Sequence, residues 1–193
     1  NRRKSLPLRE GKLIKQKPYI MLSEKLNAAF NAQINAELWS AYLYLSMSVN
    51  AAAQGQKGAA NWFMVQFQEE QAHAQILMNH SLSRGNKVTL APIAEVQTEW
   101  ENTLAAFKDT LAHEKKVTAL INNLYEITVE EKDYAAQNLL RWFIDEQVEE
   151  EESANDMIDQ LEAVEGNKYG ILMIDKDMAT RTYTVPAPLQ KGE

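Results

Sequence analysis

Residues 61–77 read Asn-Trp-Phe-Met-Val-Gln-Phe-Gln-Glu-Glu-Gln-Ala-His-Ala-Gln-Ile-Leu, and this stretch decides the fold. It contains neither proline nor glycine. Its members at three- and four-residue spacing form one stripe: Phe63, Gln66, Glu70, His73 and Leu77. That spacing is typical of one buried face of an α-helix. The stripe therefore predicts a helix that turns an acid and an imidazole, one turn apart, towards a protein interior.

The stretch above belongs to one of four long segments with the same helical period. Apolar spacing and the absence of proline and glycine predict helices over residues 23–53, 59–84, 95–127 and 128–165. Glycines separate the first pair, and Gly85 with Asn86 ends the second helix in the usual way. Residues 86–94 contain Pro92 and no helical pattern, so they predict a long connection. Loops in the order short, long, short indicate an all-α, up-down-down-up four-helix bundle with one long crossover.

Local signals place the later boundaries. Thr128 and Glu131 have the spacing of a capping box, in which each side chain satisfies a backbone donor of the other residue. This pattern predicts that the fourth helix starts at Thr128. Beyond a glycine-bracketed turn, residues 171–179 are apolar enough for a short fifth helix, and two prolines predict a loose tail over residues 182–193.

The composition limits the chemistry. A chain of 193 residues with 45% hydrophobic side chains is sufficient for one domain with one core. The absence of cysteine excludes disulfides, thiolate zinc sites and iron–sulfur clusters, so any metal must be held by carboxylate, imidazole or amide groups. No apolar run approaches the 18 residues of a membrane span, and no signal peptide is recognisable. We predict a cytoplasmic protein that does not bind a membrane.

Charge is divided unevenly along the chain. The first twenty residues carry seven basic side chains and one acid, so the net charge of −7 leaves −13 on the remainder. An acidic body argues against nucleic-acid binding and favours the attraction of cations. Residues 1–20 show no helical period and precede Met21, a possible original start. They are predicted to be a disordered or added extension, with a native basic arm as the alternative.

Every one of the four predicted helices has polar residues in the middle of its buried stripe. Glu37, for example, lies seven residues after Phe30 and seven before Tyr44, which makes it core-facing. The inward polar residues in chain order are Glu37, Glu70, His73, Glu114, Gln147 and Glu150. A bundle with one crossover can bring all of them to one level.

Four carboxylates in a core would each lose hydration and would repel one another, so bound cations are needed to stabilise them. Hard carboxylates with few imidazoles suit iron or manganese, and open coordination positions leave room for oxygen or peroxide. Each piece alone is weak, because an acid three residues before a histidine often arises by chance and a run of glutamates is usually a solvated helix face. Their agreement predicts a di-iron oxidase centre. His80 and His113 are predicted to have no ligand role.

The sequence resembles the bacterial non-haem ferritins from Met21 to about Ala179, with a ferritin-like domain over residues 21–181. Four segments carry the likeness: residues 35–40 (Asn-Ala-Glu-Leu-Trp-Ser), 68–73 (Gln-Glu-Glu-Gln-Ala-His), 113–114 (His-Glu) and 142–151 (Trp-Phe-Ile-Asp-Glu-Gln-Val-Glu-Glu-Glu). Residues 1–20 have no counterpart in the family pattern.

The resemblance implies a role for each inward residue. The first iron is held by four residues: Glu37, Glu70, His73 and Glu114. Glu70 and Glu114 are shared with a second iron, which Gln147 and Glu150 complete. A third nearby iron position maps to Glu69, Glu146 and Glu149, with Glu150 as a bridge. Tyr44 matches a tyrosine that can supply an electron, with Trp142 as an aromatic neighbour.

The resemblance also implies iron as the cofactor, without haem, and a homo-oligomeric shell of twenty-four subunits. Haem-binding bacterioferritins have methionine where this sequence has Gln71, and a second Glu-x-x-His where it has Gln147 and Glu150. The implied function is iron storage and detoxification by a ferroxidase that uses oxygen or peroxide, with ferric mineral kept inside the shell and residues 171–178 lining a pore. Two alternatives stay open, a rubrerythrin-like di-iron oxidase or peroxidase, which the absence of cysteine disfavours, and a non-catalytic helical cage.

Overall fold

A computed structural model describes residues 21–190 of the chain. Within that range the protein consists of helices and connecting loops, with no strand. The α-helices are α1 (Glu24–Ala53), α2 (Lys57–Ser83), α3 (Thr103–Glu130), α4 (Tyr134–Ala163) and α5 (Lys168–Met178), followed by a 3₁₀ turn at Ala187–Leu189. The predicted all-α bundle with a short fifth helix is confirmed. The predicted extension at residues 1–20 and the last three residues of the tail lie outside the described residues.

The long connection runs the full length of α1. At one end, the Leu22 backbone N–H donates to Asn86 Oδ1 at 2.8 Å, and at the other, Gln54 Nε2 donates to the Trp100 carbonyl at 2.6 Å. The chain therefore leaves the end of α2, beside the start of α1, and arrives at the opposite end of the bundle before α3 begins. The direction of the four helices is up-down-down-up, as predicted.

The third helix starts eight residues later than predicted. Residues 95–102 are not helical, and Asn102 caps α3 by accepting from the Ala105 N–H at 2.9 Å. Side chains of α1 satisfy the carbonyl groups of the crossover instead. Trp39 Nε1 donates to the Glu95 carbonyl at 3.3 Å, and Ser46 Oγ donates to the Gln97 carbonyl at 2.7 Å. Tertiary contacts of this kind override a local helical pattern.

The predicted capping box does not form. The Thr128 hydroxyl is buried and donates to the carbonyl of Tyr125 within α3, which continues to Glu130. Lys132 then adopts a left-handed backbone with φ of 56°, and Asp133 caps α4 by accepting from the Ala136 N–H at 3.0 Å. The fourth helix therefore begins at Tyr134, six residues after the predicted position.

The short fifth helix, α5, is held at its start and near its end by side-chain hydrogen bonds. α5 begins at Lys168 because Asn167 Oδ1 accepts from two backbone N–H groups. Further on, Asp175 Oδ1 accepts from the N–H groups of Gly58 and Ala59 at the start of α2. A Cβ at Gly58 would lie 1.5 Å from the Asp175 carbonyl oxygen, so only glycine permits this contact. Beyond α5, residues 184–187 and Gln190 line a cavity beside α2 and α4, and Leu189 packs against buried apolar residues.

The core consists of two apolar clusters. The first includes Tyr44, Phe63, Phe107 and Ile158. The second includes Phe30, Leu77, Ile121 and Leu140. On each of the four helices, the inward polar residues lie between a member of one cluster and a member of the other, so the bundle holds a polar layer at its middle. None of the helices in the described part of the chain combines the length and apolar character needed to span a membrane.

Candidate metal centre

All six inward polar residues are buried, as the helical stripes predict. Glu114 is completely inaccessible to solvent, and Glu150, the most accessible of the six, is 8% exposed. α1 contributes Glu37, α2 contributes Glu70 and His73, α3 contributes Glu114, and α4 contributes Gln147 and Glu150. The structure thus places them in the layer between the two apolar clusters. Their roles as ligands stay a prediction.

Three of these residues form a compact group. One ligand atom from each of Glu37, Glu70 and His73 can be chosen so that all three lie within 4.8 Å of one another. His73 Nδ1 lies 3.6 Å from Glu70 Oε2 and 3.9 Å from Glu37 Oε2. The turn between Glu70 and His73 brings both to one face, while Gln33 Nε2 orients Glu37 by donating to its Oε1 at 2.8 Å.

The α3 carboxylate is held by donors from two other helices. The Tyr44 hydroxyl donates to Glu114 Oε1. Gln147 Nε2 lies 3.2 Å from Glu114 Oε2 and 3.3 Å from Thr118 Oγ1. Because the amide nitrogen of Gln147 faces these acceptors, its carbonyl oxygen is left for another partner, in keeping with the prediction that Gln147 is a neutral ligand.

Glu150 completes the layer from α4. Its Oε2 accepts a hydrogen bond of 2.6 Å from Gln66 Nε2, an inward residue of α2. Gln33 and Gln66 were not predicted as parts of the site. Gln66 belongs to the same stripe as Glu70, and Gln33 lies one turn before Glu37, so helical spacing could have identified both as supporting residues.

Burial and mutual repulsion disfavour the charged forms of these acids. Loss of hydration, then repulsion by Glu70, raises the pKa of Glu37 well above its usual value. The pKa of Glu70 is likewise raised by burial and then by Glu114 and Glu150. Burial, with repulsion by Glu114 as the next cause, raises the pKa of Glu150 to about 8. Burial also raises the pKa of Glu114, although the hydrogen bonds from Tyr44 and Gln147 oppose this effect. A nearby cation would stabilise all four carboxylates as anions.

The unsatisfied atoms point to a cation in the same place. Among residues 21–190, three buried oxygens of this layer receive no hydrogen bond from an N–H or hydroxyl donor: Glu37 Oε2, Glu70 Oε2 and Gln66 Oε1. Two of them belong to the compact Glu37, Glu70 and His73 group. Without a cation, only a proton shared between the Glu37 and Glu70 carboxyls can join those two side chains. Buried carboxylate oxygens without a donor are expensive in a protein core, whereas a hard cation would satisfy them directly. The donor set, oxygens with one imidazole, fits iron.

The predicted third position is more accessible than the centre. A cavity of about 310 Å³ lies beside it, and Glu69, Glu146 and Glu149 line its wall with Glu150 and His73. Burial raises the pKa of Glu69, against an opposing effect of Arg181, and burial also raises the pKa of Glu146. Sequence reasoning missed Arg181, whose Nη2 lies 2.7 Å from Glu69 Oε2.

Aromatic residues surround the layer. Trp142 lies edge-on to His73 with ring centroids 5.5 Å apart. Of the remaining histidines, His80 stacks on Phe30, and His113 Nε2 lies 2.8 Å from Ser40 Oγ. Burial, with Lys116 nearby, lowers the pKa of His113 to about 4, so this imidazole is neutral at physiological pH.

The comparisons with known proteins agree with this architecture. The Ferritin-like domain family model matches residues 27–164, a range that contains the whole polar layer. A bacterial non-heme ferritin of Bacteroides fragilis (strain 638R) is 39% identical over 161 residues, 83% of this chain and 100% of the relative. The Staphylococcus aureus (strain MRSA252) protein of the same name is 34% identical, over 84% of this chain and 98% of its own.

Solved structures give the same result. A structure described as a novel open pore ferritin from the archaeon Archaeoglobus fulgidus is 43% identical, with a TM-score of 0.82 over 83% of this chain and 99% of that one. A form of the same archaeal ferritin engineered to be closed is also 43% identical, with a TM-score of 0.83 over 84% and 99% of the two chains. With matched sequence, matched fold and the buried carboxylate layer in place, this chain belongs to the ferritin family.

Proposed function

We propose that this protein stores iron, and that it oxidises ferrous iron on entry at a two-iron centre in the middle of its bundle. The observation that carries the proposal is the buried group of Glu37, Glu70 and His73, in which two carboxylate oxygens receive no hydrogen bond from an N–H or hydroxyl donor. Such a group is destabilising without a cation and becomes favourable when a cation binds.

Charge balance supports two ions. Four carboxylates face the layer, so their combined charge of −4 equals the charge of two ferrous ions. Glu37 and His73 hold the first ion, Gln147 and Glu150 hold the second, and Glu70 and Glu114 lie between the two positions. The second position has a neutral amide where the first has an imidazole, so we expect it to bind iron more weakly.

Oxidation changes that balance. Each ferrous ion gives one electron to oxygen or peroxide, so the pair becomes more positive by two charges while the carboxylates stay the same. Hydrolysis of the ferric ions restores neutrality by releasing protons to water, and the hydrolysed product moves on to the mineral. Tyr44, whose hydroxyl donates to Glu114, is positioned to supply a further electron.

We also propose that copies of this chain form a hollow homo-oligomer of twenty-four subunits. The relatives at 34–43% identity are ferritins over nearly their whole length. The bundle exposes several large apolar side chains, which other copies would cover: Tyr42, Val49, Tyr134, Val148, Tyr169 and Leu172. Contact between copies explains why these positions are apolar.

The test is aerobic mixing of the purified protein with ferrous salt while particle size and ferric absorbance are followed. We expect a large particle that accumulates many iron atoms per chain. In Glu37→Gln, the initial oxidation rate should fall at least about tenfold while the particle stays intact, because one ligand and one charge are removed. Glu152→Gln, an exposed change on α4, is the matched control and should oxidise iron at the wild-type rate. A monomeric protein, or equal rates in both variants, would contradict the proposal.

A further inference from the structure

The C-terminal segment crosses the outside of the metal centre. After α5, Asn61 Nδ2 on α2 donates to the carbonyls of Met178 at 3.1 Å and Arg181 at 2.9 Å, which fixes the turn of the chain. Residues 184–187 and Gln190 then line the 310 Å³ cavity opposite α2 and α4. Leu189 packs at the edge of the second apolar cluster. The segment therefore forms the outer wall of the cavity.

Arg181 is the cationic side chain of this wall. Its guanidinium carbon lies 4.3 Å from the centre of the Trp62 ring, and Nη1 lies 3.4 Å from the Trp62 carbonyl. Nη2 donates to Glu69 Oε2 at 2.7 Å. Trp62 and Glu69 are seven residues apart on one face of α2, so Arg181 contacts residues from two successive turns of that helix. A cation–π contact and a charge-assisted hydrogen bond together hold it against the helix.

The same cavity contains the carboxylates of the third metal position. Glu69 lines it with Glu146 and Glu149, and its inner wall is formed by Glu150 and His73, which are buried residues of the two-iron layer. The cavity therefore connects the surface carboxylates with the centre. A metal ion there would need Glu69, and Glu69 is already bound by Arg181.

We propose that Arg181 is a resident counter-cation of the third metal position, which occupies Glu69 until a ferrous ion displaces it. The inference rests on the proposed two-iron function. A guanidinium and a divalent ion cannot both bind the same carboxylate oxygen at close range, because like charges a few ångströms apart repel strongly. An ion on either oxygen of Glu69 therefore weakens the Arg181 ion pair, and we expect binding of the third ion to favour release of Arg181 from Glu69.

This exchange has a functional consequence. The ion must overcome the Arg181 contacts before it gains its own, so the third position binds iron more weakly than its carboxylates alone would. Iron then fills the two central positions first and passes through the third position without being retained there.

Anaerobic calorimetric titration of the metal-free, assembled protein with ferrous iron tests the proposal. Binding without oxygen separates affinity from turnover. In wild type we expect two tighter ions per chain, followed by a weaker step. In Arg181→Gln the weaker step should become about tenfold tighter, because one competing positive charge is lost, while the first two steps change little. Arg181→Lys keeps the charge and should remain close to wild type. Lys108→Gln is the matched control, since it removes a cation from the exposed ion pair with Glu162, and it should leave all steps unchanged.

The outcomes separate the two proposals. If wild type binds no tight pair of ions, the proposed function fails, whatever Arg181 does. If the pair binds but the weaker step is unchanged or further weakened in Arg181→Gln, the role of Arg181 is overturned. Equal behaviour of Arg181→Gln and Arg181→Lys would also overturn it, because packing on Trp62 and not charge would then be responsible. Tryptophan fluorescence of each variant checks that the segment remains packed.

Discussion

Glu70 lies in the polar layer with three other buried carboxylates. Burial raises its pKa, and Glu114 and Glu150 raise it further. Its Oε2 receives no hydrogen bond from an N–H or hydroxyl donor, and His73 Nδ1 lies 3.6 Å from it. Without metal, the residue therefore opposes folding. With metal, the same residue lies between the two proposed iron positions.

We predict that Glu70→Gln stabilises the metal-free protein by about 1 kcal/mol at pH 8 and strongly slows iron oxidation. The change removes one charge at nearly constant volume, so it relieves repulsion without opening a cavity. Denaturant unfolding of the metal-free variant and wild type measures the first effect, and initial ferrous oxidation rates measure the second. Functional sites commonly show this exchange of stability for activity.

The control for this prediction is Glu152→Gln, which makes the same chemical change at an exposed position of α4. It should change the free energy of unfolding by less than about 0.5 kcal/mol and leave oxidation unaffected. A destabilised Glu70→Gln protein would show that Glu70 supports the fold through a contact other than metal.

At the residue scale, the sequence predicted the buried layer because helical spacing alone determines which side chains face inward. The six inward positions followed from four stripes, and each of the six is buried. Spacing within one helix does not report contacts between helices. The Gln66 contact with Glu150 and the Arg181 contact with Glu69 join residues 84 and 112 positions apart, so neither could be predicted in this way.

Local sequence patterns alone did not predict where helices α3 and α4 begin. Thr128 and Glu131 satisfied the spacing of a cap, but a buried threonine within α3 can return its hydroxyl to its own helix, as Thr128 does to Tyr125. Asp133 is the actual cap because its second oxygen also binds Arg84 from the end of α2. Residues 95–102 of the crossover likewise form no helix, because side chains of α1 donate to backbone carbonyls there. In both cases long-range partners determined the boundary.

We predict that Asp133→Ala destabilises the protein by about 2 kcal/mol, and that Asp133→Asn costs roughly half as much. Alanine removes both the cap of α4 and the ion pair, in which Arg84 Nη1 and Nη2 lie 3.0 and 2.6 Å from the carboxylate. Asparagine keeps an oxygen for the Ala136 N–H but loses the charge. Denaturant midpoints of the metal-free proteins measure both changes.

A surface ion pair provides the comparison for these two variants. Lys25 and Glu130 are more than half exposed, so Glu130→Gln should leave the denaturant midpoint almost unchanged. Equal destabilisation by Asp133→Ala and Asp133→Asn would mean that the ion pair, and not the helix cap, carries the effect at this position.

At the scale of the whole molecule, two apolar clusters enclose a layer of acids that share one thermodynamic property. The pKa of each of four carboxyl groups is raised by burial: Glu37, Glu70, Glu114 and Glu150. A raised pKa means that the folded state holds protons that the unfolded chain releases near pH 4.3. The layer therefore couples folding, proton binding and metal binding throughout the bundle.

From this coupling we predict that the stability of the metal-free protein falls as pH rises from about 5 to 8. Between the unfolded pKa near 4.3 and the folded value of about 8 for Glu150, the folded state binds more protons than the unfolded state. The free energy of unfolding then decreases with pH by up to about 1.4 kcal/mol per unit for each proton so held.

Ferrous iron binds the ionised carboxylates and releases those protons, so under anaerobic conditions iron should stabilise the protein more at pH 8 than at pH 5. Denaturant unfolding across this range, with and without ferrous iron, measures both slopes. Glu150→Gln should make the metal-free slope less steep, because one of the four titrating side chains is removed. A metal-free stability that stays constant or rises over this range would show that the layer is not held protonated, and the coupling would then be wrong.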